Sequence, residues 1–196
     1  MGYELLGAFI TFILLPIVIG CFIVFWRMTN QARDELEGFF RSLAARRDRE
    51  FCPAEGEWPN RTSASVMWTN GDVRFRLDSV GKEGGAKTRL VVWPRSKLLG
   101  TLVVSATSGG GRFENSFSVH ARPRGFGARI LDDRAKKALL AFRQGDDVRV
   151  AYRRGRLVLV WPGRETNEAR IDEAERVLVE LVRAIDASFV HATKAA

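Results

Sequence analysis

From Leu5 to Trp26 the chain runs for 22 residues without a charged side chain, and that run constrains how everything after it is housed. A helix rises about 1.5 Å per residue, so the run reaches about 33 Å, enough to cross a hydrocarbon layer of about 30 Å. Its Leu, Ile, Val and Phe side chains each favour insertion by roughly 0.3–0.6 kcal/mol near the centre of a span. Pro16 and Gly20 lie inside the run, but inserted helices accept such residues where the freed backbone groups are re-satisfied locally. The spacing predicts a transmembrane helix over residues 1–27, held in a lipid bilayer through Leu5 to Trp26. A cleaved signal peptide is the competing reading. It requires a basic start, a shorter apolar core and a small-residue cleavage site, and the sequence has none of these.

Glu4 is the one charged residue before Arg27, whereas Arg27, Arg33, Arg41, Arg46, Arg47 and Arg49 follow the span. Basic residues are retained on the cytoplasmic side, and acidic ones such as Asp34, Glu35, Glu37 and Asp48 count little in that rule. The expectation is a single-pass protein of the bacterial inner (cytoplasmic) membrane, N-out, with its C-terminal domain cytosolic. Cys21 falls in the span and Cys52 in the domain, so no disulfide framework is expected, as suits a reducing compartment. Asn60-Arg61-Thr62 matches a glycosylation acceptor, which needs a secreted location to be used and is set aside. The span contains no GxxxG, and Gly7 with Thr11 is a weak small-residue pair, so oligomeric state is not readable.

All 31 Lys and Arg residues follow the span, against 23 acidic residues in the whole chain, and the formal net charge is +8. Such a surplus raises affinity for anionic surfaces, including the inner leaflet. Nucleic acid is not the expected partner, because no zinc finger, RNP motif or helix-turn-helix pattern accompanies the charge. The excess is densest between Arg112 and Arg156, with Arg122, Arg124, Arg153, Arg154 and Arg156 in expected turns. Long side chains at turns can reach an anionic partner, so these five are the candidate anionic-surface contacts. A merely solvated basic face is the plain alternative.

Residues 28–50 are expected to form a juxtamembrane amphipathic helix, with Leu36, Phe39, Phe40 and Leu43 at helical spacing. Packing on the adjoining domain is its expected fate. Phe51 to Arg61 reads as a loop with two prolines. Val73, Phe75 and Leu77 alternate with Arg74, Arg76 and Asp78, a strand expected to pair with Ser65 to Thr69 across Asn70-Gly71. Gly81 to Gly85 reads as a loop, Thr88 to Trp93 and Thr101 to Ala106 as strands. Phe113, Phe117, Val119 and Ala121 are expected on one face of a further strand, with His120 opposite. Asp132 is placed to cap a helix striped by Leu131, Ala135, Leu139 and Phe142 and ended by Gly145. A hairpin follows through Arg153 to Gly155, and Ile171, Ala174, Leu178, Leu181, Val182 and Ile185 mark a long final helix. The prediction is an α+β fold: an N-terminal transmembrane helix, then an antiparallel β-sheet covered by helices, spanning 51–190, with 191–196 a flexible tail.

No pattern dictates a reaction. A Cys-His nucleophile would have to come from Cys52, His120 and His191, which share no local signature. Asp132-Asp133 and Asp146-Asp147 are read as a helix start and a turn rather than a cation site. Gly81-Lys82 and Gly109-Gly110-Gly111-Arg112 lack the spacing, or the following helix, of a phosphate loop. The tryptophans read as core or rim residues. The expectation is therefore no catalytic residues, no metal and no cofactor.

Several short motifs after residue 35 carry a family likeness: Gly56-Glu57-Trp58-Pro59, Leu131, Ala138-Leu139-Leu140, Gly155-Arg156-Leu157, Trp161-Pro162-Gly163-Arg164 and Ile171-Asp172-Glu173-Ala174. In these the chain resembles a family of uncharacterised bacterial single-pass membrane-anchored proteins. The resemblance implies a membrane tether plus a small α+β domain and supplies no catalytic residue. The expected role is a membrane-tethered, non-enzymatic interaction module with a protein partner; the alternative is an anionic-lipid headgroup-binding domain, and an enzyme is the remoter reading.

Overall fold

A computed structural model describes residues 2–56, 62–81, 85–143 and 147–194, the side chains of 2–12, 29 and 191–194 excepted. The chain falls into two compact units, Met1–Gly38 and Phe39–Ala196. The first unit belongs to helix α1 (Gly2–Arg46), which continues through Pro16 without a break. Its apolar side chains from Ile13 to Met28 stand exposed along it, and among the described residues this one helix is long and apolar enough to cross a membrane.

In the second unit α1 ends at Arg46 and β1 (Glu50–Cys52) begins four residues later, after Asp48 takes a positive φ of 50°. The stretch expected as helix over 28–50 is thus divided between the end of α1 and the start of a sheet. The loop expected from Phe51 likewise opens as strand, because Phe51 pairs with Val66 and finds apolar cover there. The remaining strands are β2 (Ser65–Asn70), β3 (Val73–Val80), β4 (Lys87–Trp93), β5 (Thr101–Ala106), β6 (Phe117–Arg122), β7 (Arg149–Arg153) and β8 (Arg156–Pro162). They form an eight-stranded antiparallel sheet in the order β1-β2-β3-β4-β8-β7-β5-β6. The β2–β3 loop is Gly71-Asp72, one residue later than expected, with Gly71 at φ +60°, where glycine alone is unstrained.

Alternation within the strands divides the sheet into two faces. Val66, Phe75, Leu77, Leu90, Leu102, Val104, Val150, Leu157 and Leu159 are buried on one. Over them lie α4 (Asp133–Arg143) and α5 (Glu168–Lys194), through Ala135, Leu139 and Phe142 and through Ile171, Leu178, Leu181 and Ile185. Phe142 meets Trp161 edge-on at 5.4 Å between ring centroids. Asp132 caps α4 as expected, accepting the Ala135 N–H at 2.8 Å. Two short helices were not foreseen. Phe113 lies in α2 (Phe113–Ser116) rather than on the β6 strand, and α3 (Phe126–Ile130) follows Gly125 at φ +84°. Helix α5 runs on to Lys194, into the stretch expected as tail; Gly145 lies outside the described residues.

The end of α1 is fixed within this unit by burial of Phe40, Leu43 and Ala44 and by ion pairs to α5. Arg46 meets Glu168 at 2.5 Å, and Arg47 bridges Glu168 at 3.0 Å and Asp172 through both of its terminal nitrogens. Arg49 lies 3.8 Å over the Trp68 ring and bonds Glu175 at 3.2 Å. The partly exposed pairs of Arg46 and Arg47 are each worth less than about 1 kcal/mol, whereas burying a Phe or Leu contributes roughly 1.5–3 kcal/mol. The apolar contacts hold the helix, and the charges set its register.

Two measurements on the full-length chain in detergent check these assignments by urea unfolding. Leu159→Ala removes a fully buried side chain where β4 meets β8, and we expect it to cost about 2–5 kcal/mol. Hydrogen bonding from Arg47 leads in holding the Asp172 carboxyl below its ordinary range, against an opposing contribution from burial. A depressed carboxylate stabilises the fold above its unfolded pKa of about 3.9, and that stability is lost as pH falls through the lower folded value. Asp172→Asn is therefore expected to destabilise near neutral pH by an amount that shrinks toward zero below about pH 4.

Candidate anionic-surface interface

The five candidate arginines, scattered over 35 positions of sequence, come together at one end of the sheet. Register explains why. Thr101 at the start of β5 pairs with Arg122 at the end of β6 and, on its other side, with Arg153 at the end of β7, while Arg153 faces Arg156 across the β7–β8 hairpin. Neighbouring strands are about 4.8 Å apart, so Arg122, Arg153 and Arg156 form a row on the face away from the helices. Arg124 follows in the turn before α3, and Arg154 sits at the hairpin tip. All five are exposed, and none makes an ion pair among the described residues.

Sequence reasoning missed the rest of this end. Strand β4 and strand β5 are separated in the sheet by β8 and β7, so the connection 94–100 has to cross the tip of the arginine hairpin. It brings Arg95, Lys97 and Leu99 there, beside Trp93 at the end of β4 and Arg74 at the start of β3. Leu99 is 95% exposed and Trp93 38% exposed. The carboxylates nearby are committed: Asp72 pairs with Arg95 at 3.2 Å, and Asp186 accepts the Ser96 N–H at 3.1 Å. Nothing local announces the cluster, because its members meet through the β4–β8 pairing, between strands 63 or more positions apart.

The loop is held from beneath. The Tyr152 hydroxyl accepts the Leu98 N–H at 2.9 Å and donates to the Leu98 carbonyl at 3.0 Å. Burial pushes the Tyr152 phenol above its ordinary pKa, which keeps the donor protonated. Gly100 is seated so closely that a Cβ would lie 2.6 Å from the Phe126 ring and 2.8 Å from the Arg122 carbonyl; a side chain there would part the loop from the Arg122–Gly125 turn.

The hairpin tip carries two local penalties. Arg154 has φ +54° and Gly155 φ +70°, the conformation of a type I′ turn, in which Asn-Gly is favoured and an arginine is strained by about 1–2 kcal/mol. Arg153 and Arg156 are like charges directly opposite, a pairing that destabilises. A turn that works against its own stability points toward a demand made by what it contacts.

Further along the open face, Asp78 is buried and takes two hydrogen bonds of 2.7 Å from Arg89, with Arg76 at 3.3 Å. Bonding to Asp78 is the main reason the Arg89 pKa is raised, against burial. Two guanidinium groups thus bracket the Asp78 carboxylate.

The geometry also addresses the candidate chemistry. Cys52 lies on β1 and His120 on β6, the two outer strands of the sheet, on the order of 30 Å apart at seven strand spacings; they do not form a dyad. His191 has no described side chain. Asp132 is taken by the helix cap and by Arg183 at 2.7 Å. Among the described residues Asp147 pairs with Lys87 at 4.0 Å, Asp146 lies outside them, and no group of three metal-ligating side chains occurs among those described. A four-residue helix, α2, does follow Gly109-Gly110-Gly111-Arg112, but Arg143 occupies the loop by donating to the carbonyls of Gly109 and Thr107. Lys82 of Gly81-Lys82, and Trp58 and Asn60, lie outside the described residues.

No protein-family model matches this chain, and no curated protein matches it by sequence. Among solved structures, the crystal structure of the mycobacterial trehalose monomycolate transport factor A, TtfA, is similar to it, with a TM-score of 0.60 at 9% identity over 76% of this chain and 93% of that one. The likeness is one of fold, and it places the sheet and its covering helices in an architecture already seen in a crystal.

Tyr152→Phe removes both hydrogen bonds to Leu98 without opening a cavity. We expect a loss of about 1–3 kcal/mol, together with faster amide hydrogen exchange at Leu98 than at the neighbouring strand positions.

Proposed function

We propose that this chain is a membrane-tethered, non-enzymatic interaction module of the bacterial inner membrane, with the folded unit on the cytosolic side and the arginine-rich sheet end as its working surface. The observation that carries the reading is helix α1, whose uncharged segment has its apolar side chains exposed from Ile13 to Met28 and is followed by arginines rather than preceded by them. A soluble chain would bury such a surface; a bilayer removes the need. Confinement to a membrane raises the local concentration of any partner on the same surface, so the module needs no deep pocket or high intrinsic affinity.

The non-enzymatic part of the reading is supported by the separation of Cys52 from His120 and by the structural commitment of Asp132. That a protein titled a transport factor shares the fold is in keeping with an accessory role, though fold alone does not carry function. Membership of the membrane-anchored family whose short motifs the chain resembles is part of the same proposal.

Topology is the direct test. In broken cells the full-length chain is expected to stay in the membrane fraction through alkaline carbonate washing and to keep its first thirty residues. A phosphatase reporter fused after Ala196 is expected to be inactive and a fluorescent protein there bright, as for a cytosolic C-terminus. A soluble or N-terminally trimmed product overturns the tether, and an active phosphatase reverses the orientation.

A further inference from the structure

The arginine-rich end of the sheet has the composition of a surface that rests on lipid headgroups, and we propose that it docks on the anionic headgroups of the bilayer in which the chain is anchored. The inference rests on the tethered reading above and names the partner of that surface.

Three observations converge. First, the cations form a plate rather than a pocket: Arg122, Arg153 and Arg156 stand in register on β6, β7 and β8, with Thr101 of β5 between Arg122 and Arg153, and Arg154 and Lys97 flank them at the rim. A plate matches a planar array of phosphates, each cation near the headgroups favouring contact by about fivefold. Second, apolar side chains are exposed at the same end of the sheet. Leu99, 95% exposed on a loop pinned by Tyr152, and Trp93 at 38% are residue types that settle at the boundary between headgroups and acyl chains. An acidic protein segment would explain the arginines, but it would leave Leu99 protruding into it without a receiving groove of its own. Third, the hairpin keeps an arginine at φ +54° where Asn would relieve the turn, as expected if position 154 is held by an external contact.

Each component alone is weak. Tethering supplies the missing affinity, since a domain confined to the membrane surface meets its headgroups at high effective concentration.

The test uses the full-length chain in lipid nanodiscs, with Cys21→Ala and Cys52→Ser introduced and Leu99→Cys carrying an environment-sensitive fluorophore. Discs are made of phosphatidylcholine alone or with phosphatidylglycerol added, and a trace of lipid bears a nitroxide near its headgroup. The expected result is nitroxide quenching in the anionic discs that weakens with salt and with Arg153→Glu and Arg156→Glu, and is slight in the neutral discs. Because the fluorophore is itself apolar, a second label at Arg95→Cys, with Leu99 kept or changed to Asp, is expected to report the same contact and its loss. Arg154→Asn is expected to weaken quenching while raising the melting temperature, an opposition of signs that a purely structural arginine would not produce. Absence of quenching in anionic discs that still retain the chain overturns the docking and leaves the tether intact. Failure of the chain to remain in discs overturns the tether instead. Shielding of the label from aqueous iodide without nitroxide quenching indicates a protein covering, such as a second copy, and also overturns the proposal.

Discussion

The hydrogen-bonded seam between β4 and β8 is the contact on which the folded unit depends. Without it there are two separate sheets, the meander β1 to β4 and the group β8-β7-β5-β6, each with a raw edge and half a core. With it, Leu90 sits opposite Leu159 and Val92 opposite Leu157, and a continuous apolar face becomes large enough for α4 and α5 to cover. The seam joins residues about 70 positions apart, so its formation requires closing a long loop. The entropic cost of closure rises only slowly with loop length, and the burial of four large aliphatic side chains at the join offsets it.

The same seam assembles the basic end. Local sequence places Arg153, Arg154 and Arg156 together in one hairpin, and β5 brings Arg122 beside them. Joining β4 to β8 adds Trp93, and it forces the 94–100 connection across the hairpin tip with Leu99 outermost. Packing of the core and composition of the exposed end are thus consequences of one pairing choice. On the helix-free face, the buried Asp78 is enclosed by Arg89 and Arg76, so that this carboxylate is neutralised by its neighbours.

Much of this was legible in the chain itself. Period-two alternation located β3 and β7–β8, the glycines at 71 and 155 marked two hairpins, the first with its turn read one residue early, and the spacing of Ile171, Ala174, Leu178 and Leu181 gave α5 with its buried face. What was not legible had physical causes. Residues 50–52 make a strand because β2 offers an apolar partner for Phe51, a cue absent from three residues read alone. Phe113 satisfies strand alternation with Phe117, yet a single helical turn buries it equally well and stacks the two rings at 5.0 Å. The five arginines were identified by charge and turn position, but their convergence, and the addition of Lys97, Leu99 and Trp93, follow from long-range pairing that periodicity does not encode.

The chemistry of the cluster sets what can modulate it. Apart from Lys97, its cations are guanidinium groups, whose planar fork can hold two oxygens of one phosphate side by side. On the proposed docking, occupancy of the plate would follow the density of negative charge opposite it and the concentration of dissolved ions, so that it would answer to lipid composition and ionic strength.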